Sequence, residues 1–225
     1  MMRFLLLLLA SLFLVGAAPA PAARDWRTNV VESAEGWTFG KPGAPLLAEY
    51  ASFGCPHCRQ FAEGAGPRIE QLVKAGRLRL AFRPFLIFSH DRSATVLARC
   101  VPSRRRLAFI KAAFVAQADT RARMAAADAD ERVRGDLFTA ELAGPIAHSR
   151  LVADVSGLDA LAEAHGLSPA ARERCLADEA HQSWATAADL AARVAGVTGT
   201  PTYFLDGHQI AKPLTPEELV SKLPR

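Results

Sequence analysis

The chain has 225 residues, of which 50% are hydrophobic, 22% charged and 8% aromatic. That apolar content excludes intrinsic disorder, and the length suits one large domain or two small ones. A balance of 27 Lys and Arg against 23 Asp and Glu leaves +4, too little to argue for nucleic acid, and charges scattered through every stretch after Val15 exclude a multi-span membrane protein.

Met1-Met2-Arg3 places one positive charge before an apolar run from Phe4 to Val15, and small residues with two prolines follow to Ala23. The pattern predicts a secretory signal peptide over residues 1–22, with Ala20 and Ala22 forming the A-x-A cleavage site. The run is short for a membrane span, so an uncleaved anchor is the lesser alternative. No cysteine stands at the cut, which argues against a lipid anchor. Residues 23–225 then form the mature domain.

Residues 24–36 read as a polar lead-in, and Trp37-Thr38-Phe39 as a first, edge strand. Lys41 to Pro45 is turn chemistry. The apolar run from Leu46 to Phe53 carries one carboxylate, Glu49, and ends at Gly54-Cys55-Pro56, a buried strand feeding a helix start. A helix from His57 to Lys74 follows, with a kink expected at Pro67 because proline removes an amide donor. Arg77 to Phe88 predicts a second strand.

After His90 the sequence turns rich in alanine and arginine up to Ala195, a composition that favours helix. Helices are predicted over about 92–100, 104–118, 157–165, 169–178 and 180–195, with Ser168 and Pro169 marking one start. Asp119 to Ser156 yields no clear assignment. Thr202 to Leu205 reads as a strand, Asp206-Gly207 as a turn and His208 to Ala211 as a partner strand. Thr215 and Pro216 open a closing helix. The order is an α/β one, with a helical subdomain over about 90–195 inserted between strands of one sheet.

Export changes the meaning of the four cysteines, because paired thiols outside the cytoplasm are expected as disulfides. Four cysteines allow three connectivities. Cys55 and Cys58 enclose too short a loop to act as a staple, whereas Cys100 with Cys175 closes a long one. Free core thiols are the alternative for that second pair.

The chemistry gathers at Cys55-Pro56-His57-Cys58. A sulfur at a helix N-terminus faces unsatisfied amides and the positive end of the macrodipole, which favours a thiolate at Cys55. A stabilised thiolate stabilises the reduced state, and hence makes the disulfide an oxidant. The His57 imidazole is expected to donate to that sulfur or add positive charge, or else to be a bystander. Cys58, one turn in, is the expected resolving thiol. A zinc site would need two more ligands, and neither Cys100 nor Cys175, nor His90, His148, His165, His181 or His208, shows ligand spacing. An inert structural disulfide is the other alternative. No metal or cofactor is called for.

Glu49-Tyr50-Ala51-Ser52-Phe53-Gly54-Cys55-Pro56-His57-Cys58, Gly199-Thr200-Pro201-Thr202-Tyr203-Phe204 and the helical stretch between them together resemble the DsbA-like thiol:disulfide oxidoreductases of the thioredoxin superfamily. The resemblance covers nearly all of the mature chain and implies a thioredoxin-like fold with a central mixed sheet. It implies a cis bond at Pro201 beside the active-site sulfurs, with Thr200 offering backbone groups to an extended substrate chain. It implies Glu49 as a buried carboxylate relaying protons to the deeper thiol, although a strand-edge carboxylate reaching water fits the residues too. No basic partner for Glu49 is evident. Cys100 and Cys175 resemble the additional pair of alphaproteobacterial-type members. Gly54 departs from the family, in which many relatives carry a bulkier residue there. Phe53, Tyr203 and Phe204 suit either a peptide groove or the core.

The expected function is therefore a periplasmic, monomeric oxidase that introduces disulfides into reduced exported polypeptides. By resemblance, a quinone-linked membrane protein of the DsbB type reoxidises it. The rivals are a disulfide isomerase or reductase and a non-catalytic peptide-binding module. Isomerases of this kind dimerise through an N-terminal domain, for which residues 23–36 are too short.

Overall fold

The structure is a computed structural model that describes residues 24–212 and 214–225. The proposed signal peptide and its cleavage point lie outside the described residues. Six strands form one sheet: β1 (Val30–Ser33), β2 (Gly36–Gly40), β3 (Leu46–Ala51), β4 (Arg79–Pro84), β5 (Thr202–Leu205) and β6 (His208–Gln209), in the order β1-β2-β4-β3-β5-β6. Only β3 and β4 are parallel; the other pairs are antiparallel, so the sheet is mixed.

Trp37-Thr38-Phe39 is not an edge strand. It lies in β2, between β1 and β4, with Trp37 and Phe39 fully buried. The edge is β1, whose last three residues are exposed and whose Glu32 and Ser33 gave no apolar signal. The strand expected over Arg77–Phe88 is shorter, since Pro84 ends the ladder.

Two helices replace the single one expected after Cys55: α1 (Pro56–Gly64) and α2 (Gly66–Lys74). The chain breaks at Ala65, and Pro67 falls in the first turn of α2, where the missing amide costs nothing. Eight helices then lie between β4 and β5: α3 (Asp91–Cys100), α4 (Ser103–Val115), α5 (Gln117–Ala129), α6 (Glu131–Leu142), α7 (Pro145–Ser156), α8 (Leu158–Ala164), α9 (Pro169–Ala177) and α10 (Glu179–Val194). The unassigned stretch 119–156 is thus helical, and it turns from α7 into α8 at Gly157, whose φ of 77° suits glycine. Ser168 caps α9 as expected. Thr215 and Glu218 form a capping box at the start of α11 (Pro216–Lys222).

One core joins sheet and helices. Phe53 packs against Phe82 of β4 and Phe114 of α4, each at 5.4 Å between ring centres, so the residue two before Cys55 is clamped between the sheet and the helical block. No helix among the described residues is long and apolar enough to cross a membrane.

Candidate active site

Strand β3 delivers the site. Its alternating burial turns Leu47, Glu49 and Ala51 to the protein interior, and the chain then leaves the sheet through Ser52-Phe53-Gly54. Cys55 is the N-cap of α1, in extended conformation with φ −76° and ψ 118°, and Pro56 occupies the first helical turn. Both Cys55 and Cys58 are free thiols; Cys58 has no exposed surface and Cys55 is 6% exposed.

The Cys55 thiol lies below its ordinary value of 9.0, at about 5. The main cause is a hydrogen bond from the Cys58 thiol, with smaller help from Thr200 and the backbone amides of Cys58 and His57, while burial opposes. Burial pushes the Cys58 thiol far upward, so it keeps its proton. Among the described residues, the His57 side chain makes no hydrogen bond to Cys55. His57 contributes its amide to that sulfur and leaves its ring exposed.

The turn before Cys55 is held by two side chains from the helical block that sequence reasoning missed. The Asp91 carboxylate, fully buried at the start of α3, accepts from Ser52 Oγ at 2.8 Å and the Gly54 amide at 2.9 Å. It also accepts from the Ile87 and Phe88 amides, both at 2.8 Å, tying the turn to the loop after β4. From α5, the buried Gln117 donates to the Phe53 carbonyl at 2.6 Å and the Cys55 carbonyl at 2.9 Å. Gly54 is explained by the same loop, because a Cβ there would lie 2.4 Å from the Phe88 ring. The Phe88 ring, 38% exposed, supplies beside Cys55 the bulk that position 54 lacks.

Thr200 and Pro201 come against the sulfurs from the other side. The Thr200–Pro201 bond is cis, and Cys55 Sγ lies 3.5 Å from the Thr200 carbonyl. The Thr200 hydroxyl is buried and has no well-aligned partner, yet it lies near enough to both sulfurs to favour their ionised forms. Beyond Pro201 runs a groove of about 670 Å3, lined by His57, Phe61, Pro201, Tyr203, Ile210 and Leu214. Tyr203 therefore serves both groove and core, Phe53 is core, and Phe204 packs edge-on against Tyr50.

Glu49 is an interior carboxylate. It sits on β3 between Phe82 of β4 and Tyr203 of β5, not at an edge, and accepts from the Tyr203 hydroxyl at 2.8 Å. Burial raises it from 4.5 to about 7, and its charge is felt by Cys58. Lys111 of α4 lines the same cavity of about 50 Å3 as Glu49, but its ammonium pairs with Glu70 at 2.6 Å. Its separation of 62 residues from Glu49 hid it in the sequence.

Cys100 and Cys175 are joined in a disulfide between α3 and α9, with a Cα–Cα distance of 6.2 Å. A His181 nitrogen comes within 4.8 Å of both sulfurs, a closeness the sequence spacing did not show.

A six-stranded mixed sheet, an interposed helical block and a dithiol at a helix N-terminus facing a cis-proline define a thioredoxin-like fold with a helical insertion. A family profile described as thioredoxin matches residues 32–224, and the chain belongs to that family. It is similar in structure to a protein-disulfide isomerase from Novosphingobium aromaticivorans, at 25% identity and a TM-score of 0.71, over 82% of this chain and 93% of that one. It shares its fold with alpha-DsbA1 of Wolbachia pipientis, at 20% identity and a TM-score of 0.61, over 83% and 89% of the two chains. BdbD of Bacillus subtilis shares it too, at 18% identity and a TM-score of 0.60, over 89% and 97%. No curated protein matches the chain.

Proposed function

We propose that this protein is an exported, periplasmic oxidase of protein thiols, its leader over residues 1–22 removed on export. The observation that carries the reading is the contrast between the two sulfurs: Cys55 is held as a thiolate at about 5, while Cys58 behind it stays protonated. In the oxidised protein, a substrate thiolate attacks Cys55 Sγ and the Cys55–Cys58 bond breaks. The electron pair goes to Cys58, which takes up a proton. The second substrate thiolate then attacks the substrate sulfur of the mixed disulfide and expels Cys55 as a stable thiolate. Two electrons pass from the substrate to the dithiol, which a quinone-linked membrane protein of the DsbB type removes. Thr200 and the groove beside Pro201 hold the substrate backbone during exchange.

The test is the redox equilibrium of Cys55 and Cys58 with glutathione. A strongly oxidising pair is expected; an intermediate one points to the isomerase reading, which the name of the Novosphingobium neighbour favours, and a very low one to a structural bridge.

Glu49 supplies the proton that Cys58 needs. Its carboxyl is raised to about 7, so the fold retains a proton that the unfolded chain releases above 4.5. The fold therefore binds more protons than the unfolded chain between these values, and this group's contribution to stability is lost as pH rises through that window. Glu49→Gln still accepts from Tyr203 but does not titrate. It is expected to be more stable than the wild type at about pH 8, by up to about 3 kcal/mol, and to form the mixed disulfide more slowly. Urea melts at acid and alkaline pH check the first expectation, and stopped-flow mixing with a reduced peptide checks the second. A variant whose stability tracks the wild type across this window would show that Glu49 does not titrate there.

A further inference from the structure

Two depressions flank the start of α1 and share the exposed His57 and Gln60 on their common rim. One is the apolar groove beside Pro201. The other lies between α1 and α5, has a volume of about 690 Å3, and is lined by Arg59, Gln60, Glu63, Gln117 and Arg121. Its balance of charge differs from that of the first, where Lys212 stands with Glu217. Two guanidinium groups face one carboxylate, and the apolar contribution comes from Pro56, Ala118 and Ala122 alone. Arg59 is paired with Glu63 at 2.7 Å, an exposed contact within one helix that offsets little. Arg121 has no carboxylate partner among the described residues. Its field reaches the active-site turn, since it acts on the buried His90 next to Asp91, the residue that holds Gly54.

We propose that an extended polypeptide with its cysteine at Cys55 lays one flank along the groove beside Pro201 and the other over this cleft, and that the cleft selects polypeptides carrying a carboxylate side chain close to the reacting cysteine, with Arg121 as the recognising group. The inference rests on Cys55 being the sulfur that exchanges with polypeptide thiols, and it names which polypeptides exchange fastest. Gln60, exposed on the rim of the cleft, adds an amide that can donate to a carboxylate.

The test uses the reduced protein and three matched peptides, each carrying its cysteine as a pyridyl disulfide and differing only in Asp, Asn or Lys three residues away. Attack by Cys55 releases pyridinethione, which reads the rate. Asp is expected to react about threefold faster than Asn and about tenfold faster than Lys at low ionic strength, from one flank of the cysteine only, with the differences collapsing at high salt. Arg121→Gln is expected to erase the preference and Arg121→Glu to reverse it. Equal rates for the three peptides, or an unchanged ratio in Arg121→Glu, would overturn the inference and leave the oxidase reading standing. A Cys55 unreactive towards every peptide would overturn both.

Discussion

Replacing Cys55 by serine is expected to abolish disulfide transfer to reduced peptides, and to erase an ultraviolet thiolate signal that titrates near pH 5 in the reduced wild type. The two losses belong together because a single sulfur serves as electrophile, leaving group and anion. The Cys58 thiol, Thr200 and the amides of Cys58 and His57 all favour the charged form of Cys55, and none of them has the same use for a serine oxygen. The sign of the linkage makes a second measurement possible. A thiol held below its ordinary 9.0 adds stability to the reduced fold as pH rises from about 5 to 9, and this stability is lost as pH falls through about 5. The oxidised protein has no such group. Denaturation of both redox forms at several pH values should therefore show the reduced form gaining on the oxidised form across that window. Cys55→Ser, which cannot form the bond to Cys58, should lack this rise in stability with pH. A thiolate midpoint near 9 would remove the physical basis for an oxidising disulfide.

The strand-to-helix step at Leu46–Pro56 was legible because its signals are local: an apolar run, then glycine, cysteine and a proline that only a helix start accommodates. Glu49 stood out as a carboxylate in a run that read as a buried strand, and the family resemblance implied its burial; the strand-edge alternative stayed open because strand order is set by pairings between distant segments. Trp37 was misplaced for the same reason: the exposed strand outside it has no apolar pattern to betray it. Helix α6 buries no residue at all, so no periodic stripe marked it; Asp130, whose side chain accepts from the amides of Arg132 and Val133, is the signal that could have found its start. Asp91 and Gln117 are the informative omissions. Each is one polar residue in a helical stretch, and only the packing of α3 and α5 against the Cys55 turn gives it a task. The His57 ring was expected to donate to the Cys55 sulfur or add positive charge there, or else to stand by, because it is adjacent in sequence; what reaches that sulfur is the His57 amide.

The helical block thus positions the nucleophile, and the second disulfide ties two of its helices together. Cys100 ends α3, the helix whose first residue is Asp91, and Cys175 lies 75 residues further on in α9. A cross-link of that separation removes loop-closure entropy from the unfolded chain worth about 4 kcal/mol. The double variant Cys100→Ser, Cys175→Ser is therefore expected to lose about that much stability in denaturant melts, with the two serines leaving α3 packed against α7, α8 and α9. If the bond acts through the unfolded state, Asp91 keeps its four donors and the Cys55 thiolate still titrates near 5 in the folded variant. If instead it holds α3 in register, the Asp91 contacts loosen and the Cys55 midpoint climbs along with the loss of stability. A stability loss with an unmoved midpoint confines the bond to the first role, and a shifted midpoint would make Cys100 and Cys175 part of the active-site support.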